Sequence, residues 1–357
     1  TGNATNAYGG LVENKKHNSD GTYQTAGSAT KNTLDVTSGT LANAYGAKVT
    51  AKNGSADENN VNIARSVTGS VYGAELTGTG TGDATKSIVK ITAGTVGGDV
   101  YGGKVAGTGA ATGHKIKLDG GTVGGSVYGG NATSGAATGN TITLTGGAAV
   151  TGSLYGGFTT GGATTGNTVN LGDGTGTLTA TTSVTGTIYG GNGAADTDNV
   201  LNVNTNAQAG NIANFSMVNF NFNNTIHAGD TMLTLNNGMA TAFDWTKFTA
   251  SSGAPDGETT LISNAAGITL SNYDRTKEVS STGNREYTIY TNTGTDTGVT
   301  SILYGGYTFK DANRTPSTSD LTKDIWAGRS TIGNTTTKNT LTINGTNHRD
   351  AYGGWTV

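Results

Sequence analysis

The chain has no cysteine, only 2 prolines among 357 residues, and 13% charged side chains. Without cysteine there are neither disulfides nor thiolate metal sites, which suits an exported chain that stays unlocked during secretion and equally suits the cytoplasm. The formal net charge is −3, and the lysines and arginines are scattered. No basic stripe exists to track a phosphate backbone, so nucleic acid is excluded as an expected partner. No run of about 20 apolar residues appears, and no charged-then-apolar leader opens the sequence, so neither a membrane helix nor a signal peptide is expected within it.

What is abundant is glycine, 60 residues, together with threonine, asparagine, alanine and valine. That mixture favours strands and tight turns over helices, and the expected class is all-β.

A tyrosine followed by glycine recurs at Tyr8, Tyr45, Tyr72, Tyr101, Tyr128, Tyr155, Tyr189, Tyr304 and Tyr352, with spacings of 27 to 29 residues from Tyr45 to Tyr155. A unit of this length cannot bury its own apolar face. Copies must stack, so a solenoid with coils of about 27 residues is expected.

A second motif is a short strand opening on asparagine: N-T-L-D-V from Asn32, N-N-V-N-I from Asn59, N-T-I-T-L from Asn140, N-T-V-N-L from Asn167, N-V-L-N-V from Asn199 and N-T-L-T-I from Asn339. Ser87 and His114 take the first place in two further coils. Period-two alternation assigns Leu34 and Val36, Val61 and Ile63, Val89 and Ile91, Ile116 and Leu118, Ile142 and Leu144, and Val169 and Leu171 to the core. The intervening Asp35, Asn62, Lys90, Lys117, Thr143, Asn170 and Asn202 face solvent.

Another strand leads into each tyrosine, as in V-T-G-S-V-Y-G from Val67 and V-G-G-S-V-Y-G-G from Val123. Val67 and Val71 share the core face, and Gly69 between them is expected to narrow the core. By parity the tyrosines lie outside with Ser70, Asp99, Ser126, Ser153 and Thr187, forming a structural column at the ordinary inter-strand spacing of about 4.8 Å. The Gly-Gly that follows is expected to turn the chain through positive φ. The stretch from Asn131 or Phe158 to the next asparagine is either a thin third face or a surface loop.

The repeat lapses after Asn199. Three regions are expected: regular coils over 1–204, longer irregular coils on the same solenoid over 205–300, and resumed, open-ended repeats over 301–357, with Trp326 in a tyrosine slot and neither end finished as a cap.

These N-T-V-x-L strands and G-G-T-V-x-G-x-V-Y-G-G turns, with the insert G-N-I-A-N-F-S-M-V-N-F-N-F and the later T-T-L-I-S-N-A-A-G-I, resemble passenger domains of autotransporter-like surface proteins of diderm bacteria. The resemblance implies a right-handed parallel β-helix at the cell surface or secreted, carried by an outer-membrane barrel. The last third shows no series of barrel strands, so membrane contact is expected only through a barrel outside this sequence.

Several chemical sites are weighed. Lys90 and Lys117 are adjacent chargeable neighbours in the outer column, and they repel. Asp196 and Asp198 in G-A-A-D-T-D-N read as a solvated loop against a catalytic pair or Ca²⁺ site. The single L-G-D-G-T-G-T-L from Leu171 falls short of a calcium-binding roll. His17, His114, His227 and His348 lack a second histidine at ligand spacing, so no zinc is expected. Thr141 with Thr143, and Thr340 with Thr342, form outward T-x-T pairs whose regularity is broken by Lys, Asp and Asn in neighbouring coils, which weakens an ice-binding reading. No cofactor is expected. The asparagine column of Asn32, Asn59, Asn140, Asn167 and Asn199 reads as a structural ladder. The tyrosine column of Tyr45, Tyr72, Tyr101, Tyr128, Tyr155 and Tyr189 reads as a structural stack, with carbohydrate or protein contact as its functional alternative.

The expected function is a non-enzymatic, extracellular adhesin or stalk segment with host or bacterial surface proteins or glycans as partners. A filament built by end-to-end self-association and a polysaccharide lyase or hydrolase are the alternatives.

Overall fold

The computed structural model describes residues 3–13, 27–174, 181–239, 242–251, 258–274, 278–282 and 285–309, and short strands at 313–314, 325–326, 329–330, 340–341, 351–352 and 355–356. It is a β-solenoid of about eight turns with coils about 27 residues apart. Among the described residues the one helical segment is the short 3-10 turn Trp245–Lys247, and no helix is long and apolar enough to cross a membrane. The chain divides into two compact units, Thr1–Asn219 with Leu233–Asn237, and Phe220–Met232 with Gly238–Val357.

In the first unit the coils build three parallel sheets, the third of them through five coils only. The tyrosine sheet contains Asn3–Val12, Thr40–Val49, Val71–Leu76, Val100–Val105, Val127–Ala132, Leu154–Thr159 and Thr182–Asn192. Its register places Tyr8 on Tyr45, Tyr45 on Tyr72, and so on through Tyr189. The asparagine sheet runs from Thr33–Val36 through Asn60–Ile63, Ile88–Ile91, Lys115–Asp119, Thr141–Thr145 and Thr168–Leu171 to Val200–Val203. The third face is a sheet: Ala29–Thr30, Ala56–Asp57, Ala84–Thr85, Ala111–Thr112 and Ala137–Thr138 pair in parallel, two residues per strand.

Alternation decides the interior as expected. Val61, Ile63, Val89, Ile91, Ile116, Leu118, Ile142, Leu144, Val169 and Leu171 are all buried, while Leu34 in an early coil is half-buried. Each such side chain contributes about 1.5–3 kcal/mol through removal from water. Ala47, Ala74, Ala84, Ala111, Val105 and Ala132 form a separate small-residue cluster beneath the alanine sheet.

The glycine between the paired valines does not narrow the core. Val67 and Val71 are both buried, but Gly69 is half-exposed, as are Gly98, Gly125, Gly152 and Gly186. The backbone bends between Thr95–Val96 and Val100–Val105, and again at the equivalent place in the next coil, so strict alternation fails there.

The second unit is built on larger side chains. Trp245, Phe248, Phe220 and Tyr304 are buried, with Trp245 and Phe248 edge-on at 6.1 Å and Phe222 tilted against Tyr304 at 4.8 Å. Where longer coils were expected, Thr259–Asn264, Ser301–Phe309, Arg285–Thr291 and Glu278–Thr282 pair antiparallel. The turn-rich T-N-T-G-T-D-T-G run accounts for the pairing of Arg285–Thr291 with Ser301–Phe309: Gly294 and Gly298 adopt φ of 67° and 65°, reversing the chain at once instead of carrying it around a coil. Parallel pairing at coil spacing is also present, between Phe243–Asp244 and Leu270–Ser271 and between Asn313–Arg314 and Thr340–Leu341. Trp326 registers with Tyr352, as its tyrosine-slot assignment requires.

Candidate functional site

The recurring side chains of the first unit form continuous ladders. Along the asparagine ladder, Asn32 donates its backbone N–H and its Nδ2 to Asn59 Oδ1 at 3.1 and 2.7 Å. Asn140 does the same to Asn167 Oδ1, both at 3.0 Å, and Asn167 to Asn199 Oδ1 at 2.9 and 3.1 Å. Each Nδ2 also reaches a carbonyl of the alanine face, Asn59 to Ala29, Asn140 to Ala111, Asn167 to Ala137 and Asn199 to Thr164. Asn59, Asn140, Asn167 and Asn199 are fully buried. The carboxamide suits this place because it offers two donors and an acceptor, so it can pair two main-chain groups and its own neighbour.

A corner precedes every rung. Lys31, Glu58, Lys86, Gly113, Gly139, Gly166 and Asp198 all take positive φ, between 51° and 69°. The four that are not glycine accept a left-handed conformation that costs an L-residue roughly 1–2 kcal/mol. Glu58 lies 3.7 Å from both Lys31 and Lys86 on this exposed corner.

The Gly-Gly after the tyrosine is not such a corner. In the coils of Tyr101, Tyr128 and Tyr155 it lies inside an extended strand, and none of these glycines has positive φ. Glycine is required there by crowding. A Cβ on the first glycine would strike main chain of the next coil, at 2.5 Å from the Gly73 carbonyl for Gly46. A Cβ on the second would press on the asparagine ladder, 2.7 Å from Asn140 Nδ2 for Gly130 and 2.8 Å from Asn167 Nδ2 for Gly157. Ala47 and Ala74 occupy that second place in two coils, so the first glycine is the stricter requirement.

The tyrosines stack as expected, with ring centroids 4.8 to 5.0 Å apart from Tyr8 to Tyr189 and interplanar angles of 16° at the first step and 3° to 6° after it. Because the rings face each other, their faces are consumed within the stack; the column is less exposed than expected, with Tyr45 and Tyr101 buried, Tyr72, Tyr128, Tyr155 and Tyr189 half-buried, and the Tyr101 hydroxyl donating to Asp99 Oδ2 at 2.8 Å. The position three residues on supplies a cover: Lys48 sits over Tyr45, Lys104 over Tyr101, and Phe158 packs edge-on against Tyr128 and Tyr155. Glu75 bridges the lysines at 2.9 and 3.9 Å. Burial raises the phenol pKa of Tyr45, Tyr72, Tyr101, Tyr128 and Tyr155, so all stay neutral at physiological pH. Tyr304 does not extend this column: it is wholly buried, on a strand paired antiparallel.

Beside the tyrosines runs a second hydrogen-bonded ladder. Asn43 Oδ1 accepts from Ser70 N–H, Ser70 Oγ from Asp99, Asp99 Oδ1 from Ser126, Ser126 Oγ from Ser153 and Ser153 Oγ from Thr187, at 2.8 to 3.2 Å. Here the earlier coil accepts and the later one donates, the reverse of the asparagine ladder. The half-exposed glycines abut these acceptors: a Cβ added to Gly69 would lie 2.5 Å from Asn43 Oδ1, and one added to Gly152 would lie 2.5 Å from Ser126 Oγ. The outer column of the asparagine sheet is also bonded in part: Asn62 donates to Asp35, Asn170 to Thr143, and Asn202 to Asn170.

The remaining candidates separate. Asp196 accepts from the Thr164 hydroxyl, Gly193 N–H and Asn214 Nδ2, so both oxygens are engaged in holding a loop. Asp198 is a corner residue. Asp173 of the L-G-D-G run pairs with Lys117 at 3.4 Å, which relieves part of the repulsion from Lys90. Thr141 and Thr143 lie in register with Lys115 and Lys117, which breaks the threonine array. His114 is a buried ladder residue, and His227 is an exposed neighbour of Asp230. His17, His348 and Thr342 fall outside the described residues. Among the described residues no group of three His, Cys, Asp or Glu could hold a metal ion. The positive-φ corner, the serine ladder and the Lys48, Glu75, Lys104 row escaped sequence reasoning. The last had a legible signal, charged residues three places after the tyrosine in three successive coils.

No protein-family model, no curated protein and no solved structure matches this chain.

Proposed function

We propose that the chain is a non-enzymatic, extracellular β-helical segment of a bacterial surface protein, serving as a stalk or adhesin. The observation that carries this reading is the commitment of the recurring side chains to one another. The asparagines, the serine and aspartate acceptors and the tyrosine faces are spent coil against coil. Such a unit resists bending and separation of its coils, because each junction is held by main-chain pairing and by side-chain bonds together. The resemblance to autotransporter-like passenger domains supports the surface location and the partner classes, host or bacterial proteins or glycans. Contact would fall on the side loops and the half-buried edges of Tyr72, Tyr128, Tyr155 and Tyr189, since the ring faces are occupied.

The test uses beads coated with the chain under flow over host cells, bacteria and immobilised glycans. Retention above bare beads on at least one surface is expected, and retention on none would overturn the adhesive part. Turnover of pectin, alginate or chondroitin by the chain, with or without Ca²⁺, would overturn the non-enzymatic part.

A further inference from the structure

The asparagine ladder is interrupted once in mid-run, at Ser87 and His114. Ser87 Oγ is buried with no hydrogen-bond partner, and so is His114 Nε2, which faces the Ala84 carbonyl without good hydrogen-bond geometry. His114 is fully buried. Its Nδ1 accepts the Ser87 backbone N–H at 3.1 Å, and its own N–H is taken by Asn140 Oδ1 at 3.0 Å. The imidazole therefore carries its proton on Nε2 and serves the preceding coil only as an acceptor.

We propose that the junction between the coil of Ser87 and the coil of His114 is a proton-operated weak point of the solenoid. Adding a proton to Nδ1 removes the acceptor and turns an N–H toward the Ser87 N–H. The junction then loses its ladder bond and gains two opposed donors and a buried charge. The asparagine rungs cannot respond in this way, because a carboxamide does not titrate near neutral pH.

The surrounding charges do not rescue the cation. Asp57 on the alanine face is the carboxylate whose field favours protonation, and it is engaged by the Thr85 hydroxyl. Lys86, on the corner before Ser87, pairs with Glu58, and Lys104, after Gly103, lies 3.9 Å from Glu75. Lys115, the next residue, is exposed. Burial outweighs both the Ala84 carbonyl and Asp57 and depresses the imidazole pKa to about 4.

The folded-state value lies below the unfolded one of about 6.5, so the unfolded chain binds the proton more readily between them. Stability from this site is intact above about pH 6.5, falls as pH drops toward 4, and levels off below. The folding constant loses about 300-fold once the titration is complete below pH 4, about half of it by pH 4 itself.

Three measurements on the intact chain test this. The His114 ring is followed by NMR titration, and an unshifted midpoint in the folded protein would overturn the proposal. Denaturant unfolding is compared for the wild type, His114→Asn and His114→Ser between pH 7.5 and 4, the serine already being accommodated in this ladder at Ser87. The ratio of variant to wild-type folding constants should rise about 150-fold from pH 7.5 to 4, and parallel profiles would overturn it. Amide exchange at pH 5, corrected for intrinsic rates, should accelerate around Ser87 in the wild type and not in His114→Asn. Acceleration spread evenly over the coils would also count against it.

Discussion

The two units reach a stable β-structure by different means. Thr1–Asn219 repeats one coil with small and medium side chains, and its specificity comes from ladders that tie each position to its copy. Phe220–Met232 with Gly238–Val357 holds Trp245, Phe248, Phe220 and Tyr304 in unique contacts and mixes parallel with antiparallel pairing. Repetition lets a weak interaction be used many times, whereas irregular packing places much of its energy in a few large groups. The first unit should therefore be sensitive to backbone crowding and lost ladder bonds, and the second to truncation of its aromatics.

Trp245→Ala gives the largest expected effect. Trp245 is fully buried and its Nε1 donates to the Asp274 carbonyl at 2.9 Å. Its loss should cost about 3–5 kcal/mol in the second unit, read as an earlier denaturant transition with proteolysis beginning after Asn219. Gly129→Ala tests crowding in the first unit. The new Cβ would strike the Gly156 carbonyl and lie 2.8 Å from Asn140 Cβ. A cost of about 3 kcal/mol is expected by chemical denaturation, the upper range for overpacking because main chain must move.

Asn140→Ala should cost about 2 kcal/mol, because it strands the His114 N–H and the Ala111 carbonyl in the interior. Asn140→Asp sets an oxygen against the Ala111 carbonyl and Asn167 Oδ1 in the interior, so it should cost at least as much as the alanine change. At the small end, Gly238→Ala in the second unit has no atom within 4 Å of the added Cβ and no positive φ. It should be neutral or stabilising by up to about 1 kcal/mol in thermal unfolding. Equal costs for Gly129→Ala and Gly238→Ala would remove the contrast between the units.

Much of the first unit was legible because stacking copies amplifies a weak pattern. The tyrosine register, the core faces and the asparagine column all follow from period-two alternation repeated at one spacing. The reason for Gly-Gly was not legible: whether glycine serves a turn or a close approach depends on what stands opposite, and the facing asparagine lies about ten residues further along the chain, from Gly130 to Asn140. The corner was hidden because Lys31, Glu58, Lys86 and Asp198 occupy a conformation that composition assigns to glycine. In the second unit the antiparallel pairs escaped notice although T-N-T-G-T-D-T-G is a turn sequence, since the returning Tyr-Gly-Gly at Tyr304 suggested another coil. A lone copy of a motif carries none of the amplification that made the others readable.

The claim that side-chain ladders bind coil to coil is tested most directly by residue-resolved amide exchange at neutral pH. The amides of Ser87, His114, Asn140 and Asn167 are each accepted by a side chain of the next coil, whereas Lys115 N–H is accepted by the Ser87 main-chain carbonyl. Protection of the four ladder amides within about tenfold of Lys115 is expected, since a 1.4 kcal/mol difference is tenfold. Exchange of all four at the rate of open loops, with Lys115 protected, would contradict it.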